Sequence, residues 1–133
     1  MPPPIHLAEV GSTNDWLREH AATLADGQWV LADRQTGGRG RLGRPWVAPA
    51  GNLSASCLIR RLPGDGPAPE LALVMGVALF DAAARVVGSV RLALKWPNDL
   101  MVDGAKAGGI LMEGAGALVV AGVGVNLAVA PRL

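Results

Sequence analysis

The polar and apolar positions of this chain fall into short blocks whose period changes several times. Ile5–Val10 reads as a short strand. Ser12 and Thr13 then offer N-cap hydroxyls, Asp15 suits a first helical turn, and Trp16, Leu17, His20, Ala21 and Leu24 recur at helical spacing. Residues 13–23 are therefore expected to form an amphipathic helix. Residues 28–35 are strand-like, 36–46 hold four glycines and Pro45 and cannot be regular structure, and 52–60 form another strand. A Pro/Gly loop over 62–69 leads to a helix with Pro69 in its first turn, which runs to about Val87 and stops at Gly88. That helix is apolar nearly all round through Phe80, which predicts deep packing. Residues 90–96 alternate, with Val90, Leu92, Leu94 and Trp96 on one face and Arg91 and Lys95 on the other. Strands at 100–102, 107–113 and 117–127 follow, joined by short glycine turns.

Late strands joined by tight turns favour a mixed, largely antiparallel sheet over a doubly wound one, so the expected class is α+β with the helices packed on one face. The 133 residues form one expected domain, 1–133, without a repeat or a linker. Half the residues are apolar and 17% are charged, a globular composition. The single cysteine, Cys57, excludes an internal disulfide and lies in an apolar run, as a small buried hydrophobe does. The N-terminus has no signal-peptide pattern, and the longest strongly apolar run, 71–80, is too short to span a bilayer. A cytoplasmic protein with no membrane partner is expected.

A net charge of +1 argues against a nucleic-acid partner, and no DNA binding is expected. The distribution of charge says more than its sum. No acid lies between Asp33 and Asp65, yet six of the 12 basic residues do: Arg34, Arg39, Arg41, Arg44, Arg60 and Arg61. Within that window, Gly37-Gly38-Arg39-Gly40-Arg41-Leu42-Gly43-Arg44-Pro45-Trp46 can bring backbone N–H groups and guanidinium forks close to phosphate oxygens. A flexible exposed basic loop is the plainer alternative. Gly38, Gly40 and Gly43 also fit a dinucleotide fingerprint, but a strand follows instead of a helix and the next acid is Asp65, so that reading fails.

Three further segments stand out. Lys95-Trp96-Pro97-Asn98-Asp99-Leu100 ends a strand in an Asn-Asp turn, and Lys106-Ala107-Gly108-Gly109 sets a lysine among small residues. An ordinary hairpin corner and a solvated turn lysine would explain these equally well. Yet the chain has ten arginines and only two lysines, Lys95 and Lys106, one in each segment, which suggests sites that want a compact point charge. Along 119–126, Gly122, Gly124 and Asn126 share a face, cleared for a flat group such as a base or for a packed helix.

Together these segments resemble the biotin–protein ligase family. The resemblance rests on Ser12-Thr13-Asn14, the run Asp33 to Arg41 with Arg44 and Trp46, Lys95 through Leu100, Lys106 through Leu111, and Gly122 through Asn126, in family order. It implies an α+β catalytic domain related to class II aminoacyl-tRNA synthetases. By the same resemblance, Ser12, Thr13 and Gln35 would hold biotin's ureido ring, and Asn14 would also bind biotin. Arg39, Gly40 and Arg41 would belong to the loop that orders over biotin and adenylate, and Trp46 would pack beside the ligand. Lys106 would meet the carboxylate and the α-phosphate. Arg39, Arg41, Arg44, Lys95, Asn98 and Asn126 would serve the nucleotide, with Asn126 by adenine and no protein-held metal. Lys106, Arg41 and Asp99 are the implied catalytic residues, Asp99 at the acceptor amine.

The implied substrates are biotin and ATP with Mg²⁺, and the implied partner is the biotin carboxyl carrier domain of a carboxylase. The competing expectations are a lipoate or octanoyl transfer enzyme and a remnant that binds biotinyl-AMP without transferring it. The family's helix-turn-helix and C-terminal part are expected to be absent, leaving the strand over 117–127 short of cover, which predicts a homodimer or a poorly soluble monomer.

Overall fold

The structure, a computed structural model, describes residues 1–87 and 91–127. Its elements run β1 (Ile5–Val10), α1 (Thr13–His20) with a 3-10 turn over Ala21–Thr23, β2 (Trp29–Gln35), β3 (Leu53–Arg60), α2 (Ala68–Val86), β4 (Leu92–Lys95), β5 (Asp99–Val102), β6 (Ala105–Ala115) and β7 (Leu118–Val125). Gly88 and Val90, expected at a helix end and a strand start, lie outside the described residues. The strands form one seven-stranded sheet ordered β1-β2-β3-β7-β6-β5-β4. β1 and β2 are parallel and connected through α1, and every other neighbouring pair is antiparallel. The α+β class and the largely antiparallel sheet agree with the sequence pattern.

The placement of the helices does not. Leu17 and Ala21 of the α1 segment pack with Val30, Leu58 and Val120, whereas Met75, Leu79 and Phe80 of α2 pack with Leu100, Ile110, Val123 and Val125. Side chains alternate along a strand, so Val120 points to one side of β7 while Val123 and Val125 point to the other. The two helices therefore lie on opposite faces, not on one. The reason is β7 itself, which is apolar on both faces and needs a helix on each. Val119, Val120, Ala121, Val123 and Val125 are all buried, and β3 and β6 pair with both edges of the strand. The expected homodimer thus loses its premise, because the chain covers β7 itself.

The expectation for α2 is also corrected. Gly76 is its only buried residue, and Val74 and Val77 are 61% and 55% exposed. A helix laid on a sheet buries only the stripe that faces it, however apolar its other sides are.

Leu58 has no exposed surface and sits where α1, β2 and β7 meet. Leu58→Ala should lower unfolding free energy by about 2–5 kcal/mol, since it removes buried methyl groups and leaves a void. Urea denaturation followed by circular dichroism measures this, and a loss below about 1 kcal/mol would place the core elsewhere.

Candidate active site

Ser12 caps α1, its Oγ accepting from Asp15 N at 3.3 Å, and so fixes the turn that leaves β1. The next two side chains point back over the sheet. Thr13 N and Oγ1 donate to Gln35 Oε1 at 2.8 and 3.0 Å, which occupies the Gln35 carbonyl and leaves its amide as the group it can offer a ligand. Asn14 Nδ2 donates to Glu113 Oε1 at 2.9 Å and to the Leu111 carbonyl at 3.3 Å. Fully buried Ser56 shares its one hydroxyl proton between Thr13 Oγ1 at 2.7 Å and Asn14 Oδ1 at 2.5 Å. Burying so many polar groups is tolerable because each has a partner.

Ser12, Thr13, Asn14 and Gln35 border a cleft of about 550 Å³ on the α1 side of the sheet. From the β1–β2 half come Ser12, Thr13, Asn14 and Gln35. From the β4–β6 half come Lys95, Asn98, Asp99 and Lys106. The glycine-rich loop spans the two with Arg39, Gly40, Arg41, Arg44 and Trp46. Every expected site residue lines this cleft except Asn126. Asn126 instead accepts from Asn52 Nδ2 at 3.3 Å, and its own N–H donates to the Ala107 carbonyl, which holds it outside the cleft.

Lys106 reaches the cleft through an irregularity. Opposite β5, Asp99 pairs with Gly109 and Leu100 with Gly108, but Met101 pairs with Lys106, so one extra residue is inserted in β6. The bulge puts Lys106 on the same side as Gly109, where strict alternation would place it opposite. Its Nζ lies 3.1 Å from Asp99 Oδ1 and 5.5 Å from the centre of the Trp46 ring. Asn98 is held on β6 by its side-chain amide, which donates to the Ile110 carbonyl, and by its own carbonyl, which accepts from Ile110 N at 3.1 Å.

The two glycines of β7 make room for side chains of α1 and of the loop. A Cβ on Gly122 would stand 2.5 Å from Asn14 Oδ1, and one on Gly124 2.5 Å from Trp46 Nε1. The cleared face admits these two side chains.

The loop's arginines divide into two kinds. Arg39 donates to both oxygens of Asp15, at 3.0 and 2.7 Å, and to both oxygens of Glu113, at 2.7 and 2.9 Å. The Asp15 and Glu113 hydrogen bonds raise the Arg39 pKa, and the Arg39 hydrogen bond holds the Asp15 carboxyl below its usual range. By contrast, Arg41, Arg44 and Lys95 make no side-chain hydrogen bond or ion pair among the described residues, and all three face the cleft as free cations. Asp99 is the only carboxylate lining it, and no cluster of three or more metal-binding side chains occurs among the described residues. Sequence reasoning missed Asp15, Ser56 and Glu113. The available signals were a lone acid in the otherwise apolar end of β6 and a serine on the inward face of β3.

Residues 7–127 match the Biotin/lipoate A/B protein ligase family. The chain belongs to it. A biotin–[acetyl-CoA-carboxylase] ligase of Paracoccus denitrificans is 44% identical over 131 residues, which is 94% of this chain and 55% of that protein. A biotin protein ligase of Leishmania major, solved in complex with biotinyl-5-AMP, superposes with a TM-score of 0.88 at 35% identity, covering 100% of this chain and 61% of that one. One from Aquifex aeolicus, solved with biotin and ATP, gives 0.85 at 34% identity, over 99% of this chain and 56% of that one. The fold is thus that of biotin protein ligases, of the class II aminoacyl-tRNA synthetase type, and the chain spans about half the length of the family members it matches.

Asp15 sets a pH dependence for the loop's anchor. Its folded pKa lies below its ordinary 3.8, so its contribution is complete above about pH 5 and is lost as pH falls through the lowered value. Asp15→Asn should flatten the stability–pH curve between about pH 3 and 5 by less than about 1 kcal/mol, because the pair is half exposed and screened. Urea titrations across that range test this, and an unchanged slope would deny the pair any energetic role.

Proposed function

We propose that the cleft is the adenylating site of a biotin–protein ligase, which joins biotin and ATP to biotinyl-5′-AMP and passes the biotinyl group to a lysine of a biotin carboxyl carrier domain. The observation that carries the reading is the cleft's polarity. The neutral polar groups of Thr13, Asn14 and Gln35 lie toward β1–β2, with the Gln35 amide as the donor left for a ligand, while Lys95 and Lys106 come from the β4–β6 side and Arg41 and Arg44 from the loop between. That pattern suits a ligand with a neutral polar ring at one end and an anionic chain terminus at the other. The relatives' names and bound ligands point the same way.

In the first step a carboxylate oxygen attacks the α-phosphorus, the bond to the bridging oxygen breaks, and pyrophosphate leaves. Two anions must approach each other, so cations already held in place lower the barrier most. Lys106 meets the carboxylate and the α-phosphate, and Arg41, Arg44 and Lys95 meet the remaining phosphate charge. Mg²⁺ would enter on the nucleotide as part of the substrate and would help neutralise the phosphates, and Asp99, a carboxylate of the cleft lining, is the residue that could meet it.

In the second step the acceptor amine attacks the acyl carbon, the carbon–oxygen bond to the phosphate breaks, and AMP departs. Asp99 is paired with Lys106 until an anion takes that lysine, and it is then free to orient the incoming ammonium and accept its proton. A cytoplasmic setting suits a single buried thiol that burial pushes up to about 11, far from a reactive thiolate.

Pyrophosphate release with biotin, lipoate or octanoate, with and without a carrier domain, tests the whole reading. Biotin alone should support release, and carrier protein should add turnover. Release with lipoate or octanoate instead would move the chain to the other branch of its family. Lys106→Ala should lower biotin-dependent release by at least ~10²-fold in a folded variant. Unchanged release would remove Lys106 from the chemistry.

A further inference from the structure

At the margin of the cleft, four charges are gathered where the glycine-rich loop, α1 and β6 meet, and only Arg39 among them lines the cleft. Arg39 is clamped by Asp15 and Glu113, and Arg18 Nη1 lies 3.8 Å from Glu113 Oε2. Two guanidinium groups and two carboxylates make the cluster neutral overall, so it offers no net charge to a phosphate. Glu113 is also mostly covered, its side chain 21% exposed, and it does not line the cleft.

Glu113 nevertheless connects to both working parts of the site. Through Arg39 it holds the base of the loop, where Trp46 N donates to the Gly38 carbonyl at 2.9 Å and Gly40 N to the Arg44 carbonyl at 2.6 Å. Arg41 and Arg44 are carried just beyond that base. Through Asn14 it reaches Ser56, Thr13 and Gln35, a hydrogen-bonded chain that runs along the polar side of the cleft. One carboxylate thus orients the ring-binding groups and the phosphate-binding loop together.

We propose that Glu113 is a positioning residue for adenylation, acting through Arg39 and Asn14 without touching the ligand, and that the Arg39 side chain is a latch and not a phosphate contact. The proposal rests on the functional reading above. It follows that Glu113 and Arg39 act as one unit. Removing either should free the loop, and removing both should cost little more than removing one.

The test compares the full chain with Glu113→Ala, Arg39→Ala and the double variant. In the ligand-free proteins, amide exchange over residues 37–46 should speed up at least about tenfold in each variant, the change expected from losing one charged hydrogen bond. Exchange in β3 and β7 should stay at the wild-type rate. Biotinyl-5′-AMP should leave each single variant at least about tenfold faster than wild type, and the double variant should match the worse single one. Additive effects, or loop exchange unchanged in Glu113→Ala, would overturn the latch. If Glu113→Ala does not fold, Glu113→Gln keeps the shape without the charge and is read by the same two measurements. A wild-type chain that fails to bind biotinyl-5′-AMP would refute the functional reading, and the ligand-free exchange would still decide the latch.

Discussion

Two positions on β7 have no room for a side chain, and much of the site follows from that. At residue 122 a Cβ would meet the Asn14 amide, and at 124 it would meet the Trp46 indole. Because both places are bare, α1 can lay Asn14 flat against the sheet, and the loop can fold inward until Trp46 rests on it. An alanine at either position would push one wall of the cleft outward. Burial of the neighbouring valines fixes the strand, the strand fixes the glycines, and the glycines fix how near the walls stand.

Charge is then sorted by geometry. Three arginines lie within six residues of the loop, yet their environments differ completely. Arg39 is compensated twice over by carboxylates from α1 and β6, and Arg41 and Arg44 are left without partners among the described residues. A loop with every arginine free would repel itself and stay open. A loop with every arginine paired would bind nothing. Anchoring the first and exposing the others gives a cation surface of defined shape, and the Lys106 bulge adds a point charge from the opposite wall.

Much of this was legible in the sequence, for reasons that differ by residue. Element boundaries followed from local chemistry: the Ser12 cap, the Pro69 helix start, and the glycine turns between late strands. The cleft's lining was legible because five segments together resembled a family, although none of them was decisive alone. What escaped depends on contacts between distant positions. Glu113 meets Arg39 across 74 residues, and Ser56 meets Asn14 across 42, so neither role shows in any local window. Counting by twos along β6 turns Lys106 away from the site, because a bulge leaves no signature in composition. The Gly122 and Gly124 face was read as cleared, but which side chains it receives depends on α1 and the loop, far away in sequence, and Asn126 lies beyond the cleft lining. The near-uniform apolarity of α2 did not say which stripe the sheet would cover.

The account stands most directly on where the adenylate lies and which arginines meet it. A crystal structure of this chain with biotinyl-5′-AMP measures both at once. The account predicts the ring system beside Thr13 and Gln35, the phosphate against Lys106 with Arg41 or Arg44, and Arg39 still paired with Asp15 and Glu113. A structure in which Arg39 leaves both carboxylates to bind the phosphate, or in which the ligand occupies another surface, would contradict it.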